Sequence, residues 1–291
     1  MELNKNDKFT YRQTMDARDF EFHYYKDVNP PDVDFHQHPF FEVFFFISGN
    51  VDYIIEGKIY RLRPGDILLT NNSDIHRPVI KPGKPYERIV IWLGNSFISS
   101  LHEWGDDLAS CFRSASSKQY QLIRPSTEKM LQMRSLCSQI LIARDKKEFG
   151  SRSLMYANLI RFLVLLNKAY FDNSEDIKAD IEENEKINLV IAFINEHSGE
   201  DLSLEMLASH FYISKYYLDS QFKKYTGMPV YQFIMKKRLI TARNLLRSGA
   251  PVIDACMKSG FNDYSNFLKA FKREFNKTPK EYIRASREDM W

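Results

Sequence analysis

VIDACMKSGFNDYSNFLKAFKREFNKTPKEY, residues Val252 to Tyr282, decides how the C-terminal third of this chain folds. Val252 to Lys258 is a short helical run with small Ala255 and Cys256 inside, Ser259-Gly260 supplies a turn, and Asp263 is placed to cap a second helix. In that helix Phe267, Phe271 and Phe275 recur every four residues and make a buried ridge. Tyr264, Ser265, Lys269, Lys272 and Arg273 are thereby turned outward. A short helix, a tight turn and a second helix with a polar outer face is the helix-turn-helix arrangement.

The pattern occurs once before. Ser203 caps a helix with Met206 and Leu207 on its inner side, Phe211-Tyr212-Ile213 turns the chain, and Ser214 caps the next helix, which Gly227 ends. There Leu218, Phe222 and Tyr225 fall at i, i+4 and i+7, so Lys215, Tyr216, Asp219, Ser220 and Lys223 project outward. Between the two units one helix is predicted from Val230 to Leu246, introduced by Pro229 and closed by Ser248-Gly249. Its length, about 25 Å, approaches the roughly 34 Å between successive major grooves on one face of a duplex.

Charge agrees with this reading but would not have produced it. Residues 185 to 291 hold 17 Lys and Arg against 12 Asp and Glu, whereas residues 1 to 184 hold 24 against 26. That bias suits a polyanion without demanding one.

Asn188 to Ala285 resembles the AraC/XylS family of regulators. The resemblance is carried by Leu207-Ala208, Ile213-Ser214, Leu218 to Phe222-Lys223-Lys224, and Arg238 to Ala242 to Leu245-Leu246. Its most specific part is Gly260-Phe261-Asn262-Asp263 with Phe267, Phe271-Lys272 and Thr278-Pro279-Lys280-Glu281-Tyr282. Asn276 stands where the family usually has Gly and Cys256 where it usually has Ala; Asn tolerates the left-handed conformation and Cys is small and apolar. The resemblance implies base reading by Tyr216, Asp219 and Ser220 in the first recognition helix and by Tyr264, Ser265 and Lys269 in the second. Asp accepts from cytosine N4, Lys donates to guanine, Ser pairs with several base edges and Tyr packs on a thymine methyl. Lys215, Lys223, Lys272 and Arg273 would hold phosphates.

Ahead of this domain the pattern is strands and tight turns. Phe40 to Ile47, Val51 to Ile55, Ile67 to Thr70 and Ile89 to Leu93 are aromatic and β-branched runs, separated by Ser48-Gly49-Asn50, Gly57-Lys58, Pro64-Gly65-Asp66 and Lys81-Pro82-Gly83. After Pro125 the period becomes helical, through Leu131, Cys137 and Leu141 and then Leu154, Ala157, Ile160 and Val164, which predicts a helical hairpin. Its apolar faces, Leu131, Ile140 and Leu141 with Leu159, Leu163 and Leu166, either cover the strands or pair with a second copy. Residues 172 to 186 are highly charged and nearly lack large apolar groups, as an interdomain linker does.

His36-Gln37-His38, Glu42 and Gly49 form HxH-x3-E-x6-G, which with Pro64-Gly65-Asp66 and His76 resembles the cupin barrel. Positions 36, 38 and 42 differ by even numbers, so on a continuous strand they share a face. The resemblance implies an effector pocket lined by His36, His38, Glu42, His76, Arg77 and Trp92. His36, His38, Glu42 and His76 are also the candidate ligands of a divalent metal.

The expected fold is α+β in two domains. Residues 1–171 form a cupin-type β-barrel (about 20–95) with a helical hairpin (about 126–171), 172–186 the linker, and 187–291 an all-α double helix-turn-helix. The expected function is a sequence-specific, promoter-binding transcription regulator under a small polar effector, a sugar or sugar derivative, with no required cofactor, acting as a homodimer with RNA polymerase as a further partner. Two alternatives stay open: a metal-dependent cupin enzyme with an accessory DNA-binding domain, and a ligand-independent regulator whose barrel is a scaffold. With 291 residues, 44% apolar and 27% charged, the chain has the composition of a soluble globular protein. Three dispersed cysteines without CxxC spacing point to a reducing cytoplasm, the polar start is unlike a signal peptide, and apolar runs such as Phe162 to Leu166 are too short to span a membrane.

Overall fold

A computed structural model of the chain describes residues 7–9, 12–118, 120–146, 148–172 and 175–288. The chain divides into two compact units, one of Met1–Ile55 and Ile59–Glu182 and the other of Glu183–Trp291 together with the short Glu56–Lys58 turn.

The first unit begins with seven strands, β1 (Phe20–Asp27), β2 (Phe41–Ser48), β3 (Val51–Ile55), β4 (Lys58–Arg61), β5 (Ile67–Thr70), β6 (His76–Ile80) and β7 (Tyr86–Leu93). Helices α1 (Asn95–Ser100) and α2 (Ser110–Lys118), a short β8 (Leu122–Ile123), α3 (Thr127–Lys146), α4 (Ser151–Phe171), a 3-10 turn (Glu175–Asp180) and β9 (Ile181–Glu182) follow. They make two sheets, ordered β1-β7-β2-β5-β8 and β6-β3-β4-β9.

Antiparallel pairing sets Trp92 of β7 opposite Glu21 of β1 and Glu42 of β2, and Val90 opposite His23 and Phe44. Because side chains alternate across a strand, the five-stranded sheet is buried on both faces. Phe20, Phe22, Tyr24, Val43, Phe45, Ile89, Ile91 and Leu93 join the helices in one apolar core. Tyr25, Phe44, Phe46, Val90 and Trp92 join Val51, Tyr53, Ile55 and Tyr60 of the second sheet in another.

The predicted hairpin is present as α3 and α4, with Ile140, Leu141, Leu159, Leu163 and Leu166 buried against the sheet. Leu131 and Leu154 are instead exposed, at 57% and 58%. The stripe of α4 that meets the sheet runs through Leu159, Phe162, Leu163 and Leu166, one position away from the Leu154, Ala157, Ile160, Val164 series, because a 3.6-residue period fits both and only the sheet decides between them. The charged stretch after α4 carries structure of its own. Ile181 and Glu182 pair with Tyr60 and Ile59 of β4. Arg124 grips Asp66 through Nε and a terminal nitrogen at 2.8 Å each and reaches Asp180, also at 2.8 Å.

The second unit is helical: α5 (Glu185–His197), α6 (Leu204–His210), α7 (Lys215–Thr226), α8 (Val230–Arg247), α9 (Val252–Lys258), α10 (Tyr264–Phe275) and α11 (Pro279–Glu288). The predicted caps are in place. Met206 N donates to Ser203 Oγ at 3.1 Å, Tyr217 N to Ser214 Oγ at 3.1 Å and Asn266 N to Asp263 Oδ1 at 2.6 Å, each satisfying a first-turn amide. Thr278 and Glu281 cap α11 reciprocally: Thr278 N donates to Glu281 Oε2 at 2.7 Å and Glu281 N to Thr278 Oγ1 at 3.3 Å. Gly227 and Asn276 end α7 and α10 in the left-handed conformation, so Asn takes the place of a second Gly there.

Gly260, the turn residue between α9 and α10, has φ +84°, and a Cβ there would lie 2.9 Å from the carbonyl oxygens of both Ser198 and Gly199. Arg238 holds that same bend, donating to Ser198 O at 2.9 Å and Glu200 O at 2.6 Å. Gly249 has φ +91° but open space around it. Gly260→Ala should therefore destabilise the second unit by more than about 2 kcal/mol, against about 1 kcal/mol for Gly249→Ala. Thermal unfolding of the two variants checks this; equal losses would mean that φ alone, not the close backbone approach, fixes Gly260.

Candidate functional site

In the second unit the repeated pattern places two sets of polar residues on two helix faces. Leu218 and Phe222 of α7 and Phe267 and Phe271 of α10 have no exposed surface. With those positions inside, Lys215, Tyr216, Asp219, Ser220 and Lys223 on α7 and Tyr264, Ser265, Lys269, Lys272 and Arg273 on α10 are all exposed. Tyr216 is 85% exposed and Tyr264 41%, unusual for rings of that size unless something else covers them. Lys215 Nζ lies 3.0 Å from Glu205 of α6, an exposed ion pair of the kind that adds little stability. Cys256 is buried in the core of the second motif as the small apolar residue expected there.

In the first unit a small cavity, partly open to solvent, lies between the inner faces of the two sheets. Tyr25, Glu42, Phe44, Tyr86, Arg88, Val90 and Trp92 come from the five-stranded sheet, Tyr53, Pro78 and Ile80 from the other, and Arg12 and His36 from the chain around them. The expected continuous strand through 36, 38 and 42 is absent. His36 makes an isolated bridge to His76 beside the four-stranded sheet, and β2 starts only at Phe41 in the other sheet. Residues 37 to 40 carry the chain across, with Pro39 in their midst preventing regular pairing. The side chains converge nevertheless, with ring centroids 4.2 Å apart for His36 and His76 and 4.9 Å for His38 and His76.

Each of these rings is held through Nδ1: His36 to Asp34 O, His38 to Phe40 O and His76 to Asp74 O, all at 2.9 Å. A carbonyl only accepts, so Nδ1 carries the hydrogen in each. His76 has no exposed surface; burial, with His36 and His38 beside it, holds its pKa well below the ordinary histidine range. Glu42 accepts from Trp92 Nε1 at 2.7 Å, with Tyr53 OH at 3.5 Å. Burial pushes the Glu42 pKa up, but the hydrogen bond with His38 and the surrounding imidazoles outweigh it and bring it down to about 2. The same burial, with Glu42 close by, lifts the Tyr53 phenol well above 10.

Arg77 does not join the group. It follows His76 in β6 and so faces the other way, paired with Asp32 at 3.1 Å. Trp92 lines the cavity, but the Arg12 guanidinium covers its ring at 4.9 Å, so its polar contribution is the N–H given to Glu42. Sequence reasoning missed Tyr86 and Arg88, although they share the parity of Trp92 on β7, and also Tyr25, Tyr53 and Arg12. Arg88 is buried and ion-paired with Asp27 at 2.5 Å, with the rings of Tyr86 and Tyr25 under its guanidinium at 4.1 and 4.7 Å.

Two family models match the chain: an AraC-like ligand binding domain over residues 23–163 and a helix-turn-helix domain over residues 207–285. Among curated proteins it is similar to the HTH-type transcriptional activator RhaS of Enterobacter sp. (strain 638), 25% identical over 257 residues, which cover 87% of this chain and 88% of the relative. RhaS of Escherichia coli (strain SMS-3-5 / SECEC) is 26% identical over 265 residues, covering 89% and 90%. Among solved structures, the C-terminal domain of AraT, a response regulator from Geobacillus stearothermophilus, matches 35% of this chain and 86% of its own at 26% identity, with a TM-score of 0.34.

Glu21 pairs with Arg12 and so anchors that guanidinium over Trp92. It is buried, and burial raises its pKa, but hydrogen bonds from His23, the amides of Ala17 and Asp16, and the charge of Arg12 bring it from 4.5 down to about 2. A carboxylate with a depressed folded-state pKa stabilises the fold above its unfolded value and loses that contribution as pH falls through the folded one. The wild type should lose on the order of 2 to 3 kcal/mol between about pH 4.5 and pH 2 that Glu21→Gln does not. Denaturant titrations across that range test it; parallel pH profiles would show that the Glu21 cluster is not what holds Arg12.

Proposed function

The chain belongs to the AraC family of transcription regulators, with an AraC-like ligand-binding domain ahead of a helix-turn-helix DNA-binding domain, and from that premise we propose how its two units divide the work. The family membership makes it a sequence-specific DNA-binding regulator and not an enzyme. The observation that carries the assignment of residues is the pair of capped helices α7 and α10, each with an aromatic or aliphatic back and a polar front, joined by the single helix α8.

In this proposal Tyr216, Asp219 and Ser220 read one major-groove segment and Tyr264, Ser265 and Lys269 the next, while Lys215, Lys223, Lys272 and Arg273 hold phosphates. The 18 residues of α8 rise about 27 Å, a spacing that suits adjacent grooves on one face of a duplex. The cavity of the first unit takes a small polar effector. Its aromatic wall of Tyr25, Phe44, Tyr53 and Tyr86 offers stacking for the apolar face of a sugar, and the buried Glu42 carboxylate accepts from hydroxyls. A second copy pairs through apolar residues that α3 and α4 leave exposed, Leu131, Ile142 and Leu154, and the DNA-bound dimer engages RNA polymerase.

Genome-wide footprinting of the purified chain supplies the target fragments for the test. Lys272→Ala and Arg273→Ala should weaken binding to all fragments alike and lower the slope of log affinity against log salt by about 0.9 for each phosphate no longer neutralised. Lys269→Ala should instead cost about 1 to 3 kcal/mol on the preferred fragment and little on random duplex. A wild-type protein that binds no genomic fragment better than random duplex at physiological salt overturns the assignment. For the effector, a panel of sugars at 100 times Kd should stabilise the first unit by about 2.7 kcal/mol in thermal unfolding. No shift from any member would favour a barrel that serves only as a scaffold.

A further inference from the structure

The two helix-turn-helix motifs bend at equivalent points. After α6, Tyr212 N donates to Ser209 O at 3.2 Å and Ile213 N to Ala208 O at 3.0 Å. After α9, Gly260 N donates to Met257 O at 3.1 Å and Phe261 N to Cys256 O at 3.2 Å. One pattern of bonds thus closes both helices, and in both the bend residue is left-handed, with φ +53° at Tyr212 and +84° at Gly260. Glycine suits that conformation; a tyrosine does not, because its Cβ crowds the following carbonyl oxygen. Among the described residues Tyr212 is the one aromatic with positive φ. Its side chain is 94% exposed, so the ring returns almost no packing for the strain. Strain that the fold does not use points to a contact outside the fold.

Position identifies that contact. Tyr212 stands two residues ahead of Ser214, the cap of α7. In a helix-turn-helix the N-terminal end of the second helix meets the base edges while the first helix crosses the backbone, so the turn between them lies where the phosphates pass. Charge holds the backbone only weakly there. The outward set of α7 has Lys215 and Lys223 against Asp219, and Lys215 is already paired with Glu205; the outward set of α10 has Lys269, Lys272 and Arg273 and no acid. We propose that Tyr212 is a further DNA-contacting residue, which donates its hydroxyl to a phosphate oxygen and lays its ring along the adjoining deoxyribose, next to the exposed Tyr216. This rests on the reading of α7 and α10 as the DNA-facing helices and adds to it a division between them. The first motif holds the backbone largely through a neutral group, the second through cations. A tyrosine hydroxyl is among the groups that bind phosphate, and being uncharged it releases no counterion, so its contribution persists as salt rises while that of Lys272 and Arg273 fades. The second motif has no room for the same device, since a Cβ at Gly260 would lie 2.9 Å from two carbonyl oxygens.

The test compares the full-length wild type with Tyr212→Gly, Tyr212→Phe and Lys272→Ala, titrated across a salt series with the preferred genomic fragment and with random duplex. Tyr212→Gly relieves the left-handed strain, so its melting temperature should equal or exceed that of the wild type. Its affinity should nevertheless fall about 10-fold, as for a lost hydrogen bond to a charged group, and by the same factor on both duplexes. The slope of log affinity against log salt should stay at the wild-type value, whereas Lys272→Ala lowers it by about 0.9. Tyr212→Phe, which keeps the ring and loses the hydroxyl, should show most of the same 10-fold loss. A lower melting temperature for Tyr212→Gly would make Tyr212 a structural residue and overturn the proposal. Wild-type affinity of Tyr212→Gly at every salt concentration would overturn it too, as would a drop in slope like that of Lys272→Ala. In those outcomes the Lys272→Ala effect still stands and the DNA-facing assignment of the helices with it. A wild type that binds both duplexes alike, with a slope that Lys272→Ala leaves unchanged, removes that assignment and this inference together.

Discussion

Trp92 sits between Glu21 and Glu42 because β7 pairs with β1 on one side and β2 on the other, and this three-strand register governs the first unit. Both faces of the sheet are covered, so a slip of one residue would exchange an apolar core for the charged and aromatic cavity wall. The helices of the first unit fix the choice by demanding Phe20, Phe22, Val43, Phe45, Ile89 and Ile91 on their side. What remains on the other side is a row of groups that no apolar core would gather: Glu21, Trp92 and Glu42 abreast, with Arg88 further along β7 on the same face. Chemistry in the cavity is thus a by-product of packing on the opposite face. The buried charges survive because each meets a partner: Glu21 with Arg12, Arg88 with Asp27, Glu42 with the indole N–H.

The second unit reaches definition by a different route. Its helices are short, several of about two turns, and helices of that length do not hold in water by themselves. Caps and tertiary contacts compensate. Ser203, Ser214, Asp263 and the Thr278–Glu281 pair satisfy first-turn amides, each contribution being typically about 1 kcal/mol. Phe261, Phe267 and Phe271 then pack against Leu239, Ala242 and Leu246 of α8, so α8 is a part of the core of the second motif and not merely a spacer. Residues on the outer faces of α7 and α10 carry none of this load, which leaves their identity free to serve recognition.

This division explains what could be read in advance. In the second unit every structural signal was local: a cap, a Gly or Asn at a helix end, an aromatic every fourth residue. The two motifs and all ten outward-facing residues were therefore legible. In the first unit the strands were legible from their alternation, but the site was not fully so, because it depends on which strands pair. Arg77 looked equivalent to His76 until β6 turned it the other way, and Arg88 carried no local mark at all. Convergence of His36, His38 and Glu42 was expected for a reason that does not hold, a continuous strand. It arises instead because residues 37 to 40 cross between sheets and deliver His38 against His76. Ile181 and Glu182 illustrate the same limit, since two residues in a charged stretch become a strand only when β4 presents an unpaired edge.

That last pairing bears on how ligand control can work. An effector changes DNA binding only if it binds two states of the chain with different affinity, and couplings of this kind amount to about 1 to 3 kcal/mol. Most of the first unit is too cooperative to yield for so little: the five-stranded sheet cannot shift without disturbing a core of some thirty buried residues. The segment that ends the first unit is held by a mixture of contacts: a two-residue pairing on β4, Ile177 buried in the core, Glu182 paired with Arg61 at 3.1 Å, and Asp180 in the grip of Arg124 and Arg63 at 2.8 and 2.6 Å. Asp180 is only partly buried, and ion pairs in that setting are worth about as much as the coupling itself. Since β4 is the neighbour of β3, whose Tyr53 lines the cavity, this segment lies one strand away from the cavity wall and just ahead of α5 in the chain.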